Sequence, residues 1–261
     1  MEKIYFLSGM QRSGSTLLSC LLNQHPEIYA TPTSPLLDVL HSAGVKLDES
    51  LFQYTFDYHS TRKNLTTSII KSFHKDIQKP IVIDKHRGWI SAISQLKENY
   101  KNPKIICTNR SVPEVISSFI ELIRKNDLDN LIDKALRSRG MPISINNRSE
   151  YLFNDYINNP REAIIGGLNE YRDCIHMVEY NDLVSNPQET MDKIYDFLEI
   201  DSFDHNFGNI ENTCQEEKDD AWGIKNLHII RSKLQKTSTP PEEVLGKELT
   251  EYYHQFDIKY S

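Results

Sequence analysis

The stretch from residue 4 to residue 22 constrains the fold most, because an apolar run, a glycine-bounded loop and a helical run follow one another directly. The apolar run is Ile4-Tyr-Phe-Leu7, the loop is Gly9-Met-Gln-Arg-Ser-Gly-Ser-Thr16, and the helical run is Leu17-Leu-Ser-Cys-Leu-Leu22. The first N–H groups of such a helix have no intrahelical partner, and the helix dipole adds partial positive charge at the same place. The stretch therefore predicts an anion-binding loop, with a simple helix-capping turn as the alternative.

The loop matches the Walker A pattern of phosphate-binding loops except at one position. Gly9 and Gly14 have the required separation and Thr16 holds the final hydroxyl position, but Ser15 replaces the lysine and a cation occurs earlier, at Arg12. The Walker A lysine contacts a γ-phosphate, so its absence predicts that a different group is transferred. Further hydroxyl donors could come from Ser13, Ser15 and Thr16.

Strand and helix patterns alternate along the chain. Apolar runs that predict strands lie at residues 3–7, 29–31, 80–85, 105–108 and 175–179, with helical patterns between them. This alternation predicts an α/β protein, a three-layer P-loop-type fold with a mainly parallel central sheet flanked by helices. Residues 1–261 are expected to form a single domain, since no linker or repeat interrupts the pattern.

Two regions fit this alternation less well. Residues 127–158 are polar and irregularly patterned, which predicts a mobile insertion that could cover a substrate site or form plain surface. Residues 201–240 lack periodicity, and a terminal helix is expected at about 242–255. Near the middle of the chain, Ser111-Val-Pro-Glu114 predicts a helix start with Ser111 as the N-cap and Glu114 three residues on.

The composition excludes several classes of function. Hydrophobic residues make up 38% and charged residues 26% of the chain, and the net charge is −7, so nucleic acid is not expected as a partner. The four cysteines are far apart and the histidines lack metal-ligand spacing, which predicts reduced thiols and no metal site. No apolar run is long enough to span a membrane, and the first strand begins at about residue 3, so we expect no membrane partner, no preceding signal or anchor and a cytoplasmic location.

Three charged loops are expected at one edge of the sheet, because ligands of open parallel sheets lie outside the carboxyl ends of the strands. The first loop is residues 9–16 and the second is Asp84-Lys-His-Arg87. The third is Asn109-Arg-Ser111, with Ser117-Ser118 on the helix that follows. Two separate anion-binding loops predict a ligand with two separate anionic groups.

Four motifs in this order resemble the sulfotransferases that use 3′-phosphoadenosine-5′-phosphosulfate (PAPS), and most closely the tyrosylprotein sulfotransferases and their bacterial relatives. The residues are the loop Gly9 to Leu17, the pair His25-Pro26, Arg110 with Ser118, and Tyr180-Asn-Asp-Leu183 followed by Asn186-Pro187. Together the motifs extend from residue 4 to about residue 200. The resemblance implies transfer of a sulfuryl group from PAPS, without a metal, to a hydroxyl or amine acceptor of unknown class.

The resemblance also implies a role for each matching residue. Around the 5′-phosphosulfate it places Arg12, Ser13, Gly14, Ser15, Thr16 and Leu17. At the 3′-phosphate it places Arg110 and Ser118, with Tyr180 near the adenine. Lys85 occupies the position of the lysine that contacts the transferring group, where Arg12 would act with it. The family has a loop in the last third that closes over the nucleotide. The basic residues available here for that role are Lys225, His228, Arg231 and Lys233.

The general base is the position where the chain departs from the family pattern. Tyrosylprotein enzymes carry a glutamate shortly after the His-Pro pair, whereas residues 31–35 contain no carboxylate, which puts peptide tyrosine in doubt as the acceptor. Cytosolic sulfotransferases place a histidine two residues after the lysine, so His86, one residue after it, is the candidate base. Successive side chains at a strand end point to opposite sides, so His86 could face away. Alternatives are Asp38, His41 and Asp84.

Two other functions remain possible from the sequence. A P-loop kinase is the first, because Ile81-Val-Ile-Asp84 resembles a Walker B strand that ends in a magnesium ligand. A nucleotide-binding relic without catalytic activity is the second, because the expected glutamate is missing. A dinucleotide-binding Rossmann domain is disfavoured, since the chain contains no GxGxxG motif.

Overall fold

The computed structural model describes residues 2–49, 54, 56–126, 130–214, 223–225, 227–235 and 239–260. A five-stranded sheet lies at its centre. The strands are β1 Lys3–Gly9, β2 Ile28–Thr33, β3 Ile81–Lys85, β4 Ile105–Asn109 and β5 Ile175–Glu179. Their order is β2-β3-β1-β4-β5, and every neighbouring pair is parallel. The predicted α/β fold with a parallel central sheet is confirmed.

Helices cover both faces of this sheet. Their bounds are α1 Ser15–Leu22, α2 Leu36–Leu47, α3 Tyr58–Phe73, α4 Ile93–Asn99, α5 Val112–Arg124, α6 Leu131–Ser138, α7 Ile145–Leu152, α8 Asn158–Tyr171, α9 Tyr180–Ser185, α10 Pro187–Leu198, α11 Pro241–Leu245 and α12 Lys247–His254. A 3₁₀-helix, Arg87–Ala92, precedes α4, and another, Arg172–Cys174, precedes β5. No helix among the described residues combines the length and the apolarity needed to cross a bilayer.

Two hydrophobic cores lie on opposite faces of the sheet, because successive side chains of a strand alternate between its faces. From β1, Phe6 joins the core formed with α2 to α8, α11 and α12, whereas Tyr5 and Leu7 join the core formed with α1, α9 and α10. Every residue of β3 and β4 is buried, which explains why these strands read as short apolar runs. The resulting three layers fix the carboxyl ends of the strands at one edge.

The register of the strands places the charged loops together at the edge of the sheet where the strands have their carboxyl ends. Leu7 of β1 pairs with Lys85 of β3, and two residues later Gly9 pairs with Thr108 of β4. On the far side of β4, Asn109 pairs with Glu179, the last residue of β5. The chain therefore leaves β1, β3, β4 and β5 at similar heights, and the loops that follow these strands become neighbours.

The segment 127–158, which the sequence predicts as a mobile insertion, contains regular helices over residues 130–158, and residues 127–129 lie outside the described part of the chain. Helices α6 and α7 fill this segment, and a π-helical turn, Phe153–Ile157, joins α7 to α8. Each of the two helices is capped by a side chain, that of Asn130 or Ser144, and each has eight residues. Short helices with polar outer faces give little periodicity, yet Ile132 and Leu152 are fully buried.

The start of α5 also differs from the prediction. Ser111 holds the N-cap position, but its side chain makes no capping bond. Instead, Oδ1 of Asp257 accepts the N–H of Val112 at 2.6 Å and Oδ2 accepts the Ser111 hydroxyl at 3.0 Å. A carboxylate 145 residues away in the sequence thus caps α5, which no local pattern could indicate.

The structure of the last third agrees with the weak periodicity of its sequence. Between 201 and 240, the described residues contain no helix or strand. The expected terminal helix is divided into α11 and α12 at Gly246, whose φ of 84° is outside the helical region.

Candidate functional site

Two glycines give the first loop its shape. Gly9 has a φ of 142°, and a β-carbon there would lie 2.1 Å from Oγ1 of Thr108, so only glycine allows β1 and β4 to approach at this point. Gly14 has a φ of 88°, and its β-carbon would lie 2.8 Å from Cδ2 of Tyr180. Between them, the Ser13 hydroxyl donates to the Met10 carbonyl at 2.6 Å and contacts Oγ1 of Thr108 at 2.7 Å. The Ser13 side chain therefore holds the loop together rather than offering a donor to a ligand.

A cavity of about 460 Å³ opens where this loop meets the other charged loops. Most of the residues predicted to bind the nucleotide or to act in catalysis line it. The predicted residues that do not are Ser13, Lys225, His86 and the alternative bases Asp38, His41 and Asp84. The predicted residues that line it are Arg12, Gly14, Ser15, Thr16, Leu17, Lys85, Arg110, Ser118, Tyr180 and Arg231. His228 and Lys233 of the predicted covering segment also line it. Its volume falls within the range of small-molecule sites.

Arg12 connects three parts of this cavity. Its backbone is left-handed, with a φ of 58°, which is an uncommon conformation for a residue with a side chain. Its Nε donates to the hydroxyl of Ser118 at 3.2 Å, and its Nη1 donates to the carbonyl of Leu227. One guanidinium therefore joins the first loop to α5 and to the segment after residue 226.

Arg110 lies at the end of β4 and contacts both the first loop and α9. Its Nη1 donates to the carbonyl of Arg12 at 3.2 Å. Its guanidinium carbon lies 4.2 Å from the centre of the Tyr180 ring, within the distance of a cation–π contact. The two predicted phosphate loops are thus in direct contact, and Tyr180 covers one side of the arginine between them.

Lys85, the last residue of β3, reaches across to the first loop. Its Nζ donates to Oγ1 of Thr16 at 2.9 Å, and its backbone N–H donates to Oγ1 of Thr31 at 2.8 Å. The side chain is buried. The ammonium group is therefore held beside the hydroxyl that closes the anion-binding loop.

His86 lies outside the cavity lining, although its neighbours Lys85 and Arg87 both belong to it. Its side chain is the N-cap of the following 3₁₀-helix, with the Gly88 N–H donating to Nδ1 at 3.0 Å. Its Nε2 lies 3.5 Å from Oδ2 of Asp38. An imidazole that accepts at Nδ1 carries its proton at Nε2 when neutral, so both ring nitrogens are occupied in this arrangement.

The other predicted bases are also outside the cavity. Asp84 is fully buried, where Oδ1 accepts from the indole of Trp89 at 2.9 Å and Oδ2 lies 3.0 Å from Nε2 of His74. This carboxylate faces the core, so it does not match the Walker B magnesium ligand of the kinase hypothesis. Asp38 and His41 instead line a separate shallow groove beside α2.

Several residues that line the cavity were missed in the sequence. Arg87 belongs to a charged loop already noted, and Lys125 follows Ser118 by seven residues on the same helical face. Together with the predicted cations they give the lining a strong positive charge, against which the only acidic lining residue in the described part of the chain is Glu121. In a protein of net charge −7 this concentration of cations indicates an anionic ligand.

His25, which belongs to the His-Pro motif, packs in the protein interior and does not line the cavity. It is buried, and its ring packs 5.5 Å from that of Tyr195 and 5.3 Å from that of Phe203. His25 therefore anchors the turn after α1 within the core next to α10, whereas Pro26 is exposed.

Comparisons with known proteins agree with this geometry. A Caenorhabditis briggsae protein named "Putative protein-tyrosine sulfotransferase" is 26% identical over 208 residues, which are 76% of this chain and 66% of that protein's length. Among solved structures, the sulfotransferase domain from the curacin biosynthetic pathway matches with a TM-score of 0.51 at 18% identity, over 99% of this chain and 92% of that one. Retinol dehydratase in complex with androsterone and inactive cofactor PAP matches with a TM-score of 0.50 at 14% identity, over 99% and 82%.

The two structural matches show the fold alone, because their identity is low. The profile of the sulfotransferase family matches residues 5–205. This range contains β2 to β5, most of β1 and every predicted site residue except those of the covering segment, Lys225, His228, Arg231 and Lys233. This chain belongs to the sulfotransferase family.

Proposed function

We propose that the protein transfers a sulfuryl group from PAPS to a hydroxyl-bearing acceptor by in-line displacement, an amine being the other acceptor that this chemistry allows. The observation that carries the proposal is the contact between the two anion-binding loops, in which Arg110 donates to the carbonyl of Arg12 at the wall of one cationic cavity. Two such loops suit a nucleotide with phosphate at the 3′ position and phosphosulfate at the 5′ position. The presence of PAP in retinol dehydratase supports a nucleotide of this type.

Each end of the donor has candidate partners. The amides and hydroxyls at the start of α1, in Gly14, Ser15 and Thr16, would bind the 5′-phosphosulfate as a helix N-terminus binds an anion. Arg110 and the Ser118 hydroxyl would bind the 3′-phosphate. A buried Nη2 of Arg110 without a hydrogen-bond partner in the described part of the chain fits that role, because a phosphate oxygen would satisfy it.

Lys85 would stabilise the negative charge that develops on the leaving oxygen as the sulfur–oxygen bond breaks. Its ammonium already lies 2.9 Å from Oγ1 of Thr16, at the 5′ side of the cavity. A fixed cation at the place where charge develops lowers the barrier more than it strengthens ground-state binding. Arg12 would orient the same group.

Replacement of Lys85 tests this role. In Lys85→Ala we expect kcat to fall by about 100-fold or more, while the Kd of adenosine 3′,5′-bisphosphate changes by less than about tenfold. Steady-state kinetics and titration calorimetry give the two values. Lys193→Ala removes an exposed lysine of α10 and should leave both unchanged. An unaltered kcat in Lys85→Ala would show that this lysine has no role in the chemical step.

Nucleotide preference and turnover together test the proposed function. We expect adenosine 3′,5′-bisphosphate to raise the melting temperature more than Mg-ATP does, and labelled sulfuryl transfer from PAPS to occur on at least one member of a panel of phenols, glycans, lipids and peptides. If Mg-ATP alone stabilises the protein, the P-loop kinase hypothesis is favoured instead. Binding without turnover on any acceptor would favour the catalytically inactive relic.

We also propose the cytoplasm as the location, which the thiols support. The four cysteines, Cys20, Cys107, Cys174 and Cys214, are buried and free. Hydrogen bonding from the Cys214 thiol lowers the pKa of Cys20 to about 6. Thiol titration of protein purified without reductant should find four free thiols, and a Cys20–Cys214 disulfide in that protein would contradict the proposal.

A further inference from the structure

The guanidinium of Arg110 is held on three sides. Its Nε lies 3.2 Å from Oε2 of Glu114, its Nη1 donates to the carbonyl of Arg12 at 3.2 Å, and its plane lies over the ring of Tyr180. Only 5% of the side chain is exposed. A long, flexible side chain therefore has one orientation here, determined by the groups around it.

One nitrogen remains unused in this arrangement. Nη2 of Arg110 is buried and has no hydrogen-bond partner among the residues that the structure describes, while Arg110 itself lines the cavity. An unsatisfied donor on a buried cation is unfavourable unless a ligand supplies the acceptor. A cavity-lining arginine therefore holds one donor that the described residues leave without an acceptor.

Glu114 supplies the carboxylate among the partners of Arg110. It lies in the first turn of α5, where a carboxylate is favoured by the helix dipole, and only 14% of its side chain is exposed. Its two oxygens also lie 3.5 Å and 3.4 Å from Nδ2 of Asn181, the residue after Tyr180. One carboxylate therefore holds both the arginine and the start of α9, which carries the aromatic ring packed on that arginine.

We propose that Glu114 is a positioning residue for recognition of the nucleotide's 3′-phosphate: it fixes the guanidinium of Arg110 at the cavity wall and keeps Tyr180 against it. The proposal rests on the proposed function, because it assigns the vacant donor to the 3′-phosphate. The negative charge of Glu114 would itself repel a phosphate. Its contribution therefore comes from geometry, and a neutral side chain that accepts the same hydrogen bond can replace it.

The test compares two nucleotides that differ only in the 3′-phosphate. In Glu114→Ala, we expect the Kd of adenosine 3′,5′-bisphosphate to rise by about 10- to 100-fold, and the Kd of adenosine 5′-monophosphate to change by less than about threefold. Glu114→Gln retains an acceptor for Nε of Arg110 and should lie within about threefold of the wild type for both nucleotides. A purely structural role would weaken both nucleotides equally.

Glu189→Ala is the matched control. Glu189 lies in the first turn of α10 and pairs with Lys193 four residues on, as Glu114 pairs with Arg110 four residues earlier, but 66% of its side chain is exposed. Both nucleotides should bind this variant as they bind the wild type. The control separates loss of an ordinary helical ion pair from loss of the Arg110 contact.

The outcomes distinguish this inference from the proposed function. A wild-type protein that shows no preference for the 3′-phosphorylated nucleotide would overturn both. A wild-type preference that persists in Glu114→Ala, or that is lost in Glu114→Gln as fully as in Glu114→Ala, would overturn the positioning role alone. If Glu114→Ala does not fold, Glu114→Gln decides: recovery of the wild-type preference supports positioning by geometry, and its loss contradicts it.

Discussion

Gly14 has no side chain, and the aromatic ring of Tyr180 occupies the space that a β-carbon would need. The residue also has a positive φ. In Gly14→Ala, the left-handed backbone alone should lower the free energy of unfolding by about 1–2 kcal/mol. Displacement of Tyr180 from Arg110 should in addition weaken binding of adenosine 3′,5′-bisphosphate, which denaturant titration and calorimetry would measure.

Gly166 provides the control for this substitution. It lies within α8, has no positive φ, and a β-carbon there would meet no atom within 4 Å among the described residues. Gly166→Ala should leave nucleotide affinity unchanged and stabilise the protein by up to about 1 kcal/mol through helix propensity. Equal effects of the two substitutions would show that the Gly14–Tyr180 contact has no special role.

Replacement of His86 separates a capping role from a catalytic one. Asparagine is a good N-cap but a poor proton acceptor, so we expect His86→Asn to keep both stability and kcat close to the wild type. His86→Ala should lose about 1 kcal/mol of stability, because the Gly88 N–H loses its acceptor. A fall in kcat of about 100-fold in His86→Asn, with unchanged unfolding, would instead make His86 the general base.

At the scale of helices and strands, local patterns predicted what local interactions determine. β5 begins and ends where its apolar run predicts, because the apolar pattern of a strand acts within a few residues. The helices α6 and α7 were missed, since their apolar positions are few and their burial depends on packing against other helices: α7 contacts α5, and α6 contacts α7. Ser111 holds the N-cap position of α5 as predicted, but the carboxylate that accepts the first N–H of the helix is Asp257, near the end of the chain.

Asp257 should therefore matter more to α5 than Ser111 does. In Asp257→Ala we expect the free energy of unfolding to fall by about 1–2 kcal/mol, because the Val112 N–H and the Ser111 hydroxyl both lose their acceptor. Ser111→Ala removes only a donor and should cost less than about 0.5 kcal/mol. Urea denaturation of the two variants tests the ranking, and the reverse order would restore Ser111 as the cap.

At the scale of the whole molecule, the parallel sheet made the site predictable. Loops that follow parallel strands meet at one edge, so charged residues near positions 12, 85 and 110 could be placed together before any contact was known. The contacts themselves could not be predicted, because they depend on rotamers and loop geometry. Ser13 was assigned to the ligand but bonds within its own loop, and Asp84 faces the core because the alternation of β3 turns it there.

One buried histidine, His25, and one partly buried histidine, His205, should make the stability of the whole fold depend on pH. Burial lowers the pKa of His25 and, with repulsion from His25, lowers that of His205 to about 4. Both titrate near 6.5 when unfolded, so the unfolded chain binds more protons below that pH and the folded state loses stability. We expect the free energy of unfolding to be steady above about pH 7 and to fall as the pH drops from about 6.5 toward 4.

A variant isolates the contribution of His205. His205→Gln should be less stable than the wild type at pH 7.5, because the Tyr195 hydroxyl loses its partner. Between pH 7.5 and 5.5 its unfolding free energy should decline less steeply than that of the wild type, as one titrating group is absent. Equal slopes in urea titrations of the two proteins would show that His205 is not the source of the dependence.

The structure of a complex with adenosine 3′,5′-bisphosphate tests the central claim most directly. We expect the 5′-phosphate at the start of α1, against Gly14, Ser15 and Thr16. The 3′-phosphate should lie within hydrogen-bonding distance of Nη2 of Arg110 and the hydroxyl of Ser118, about 3 Å. A nucleotide whose 3′-phosphate lies away from Arg110 and Ser118 would contradict the account.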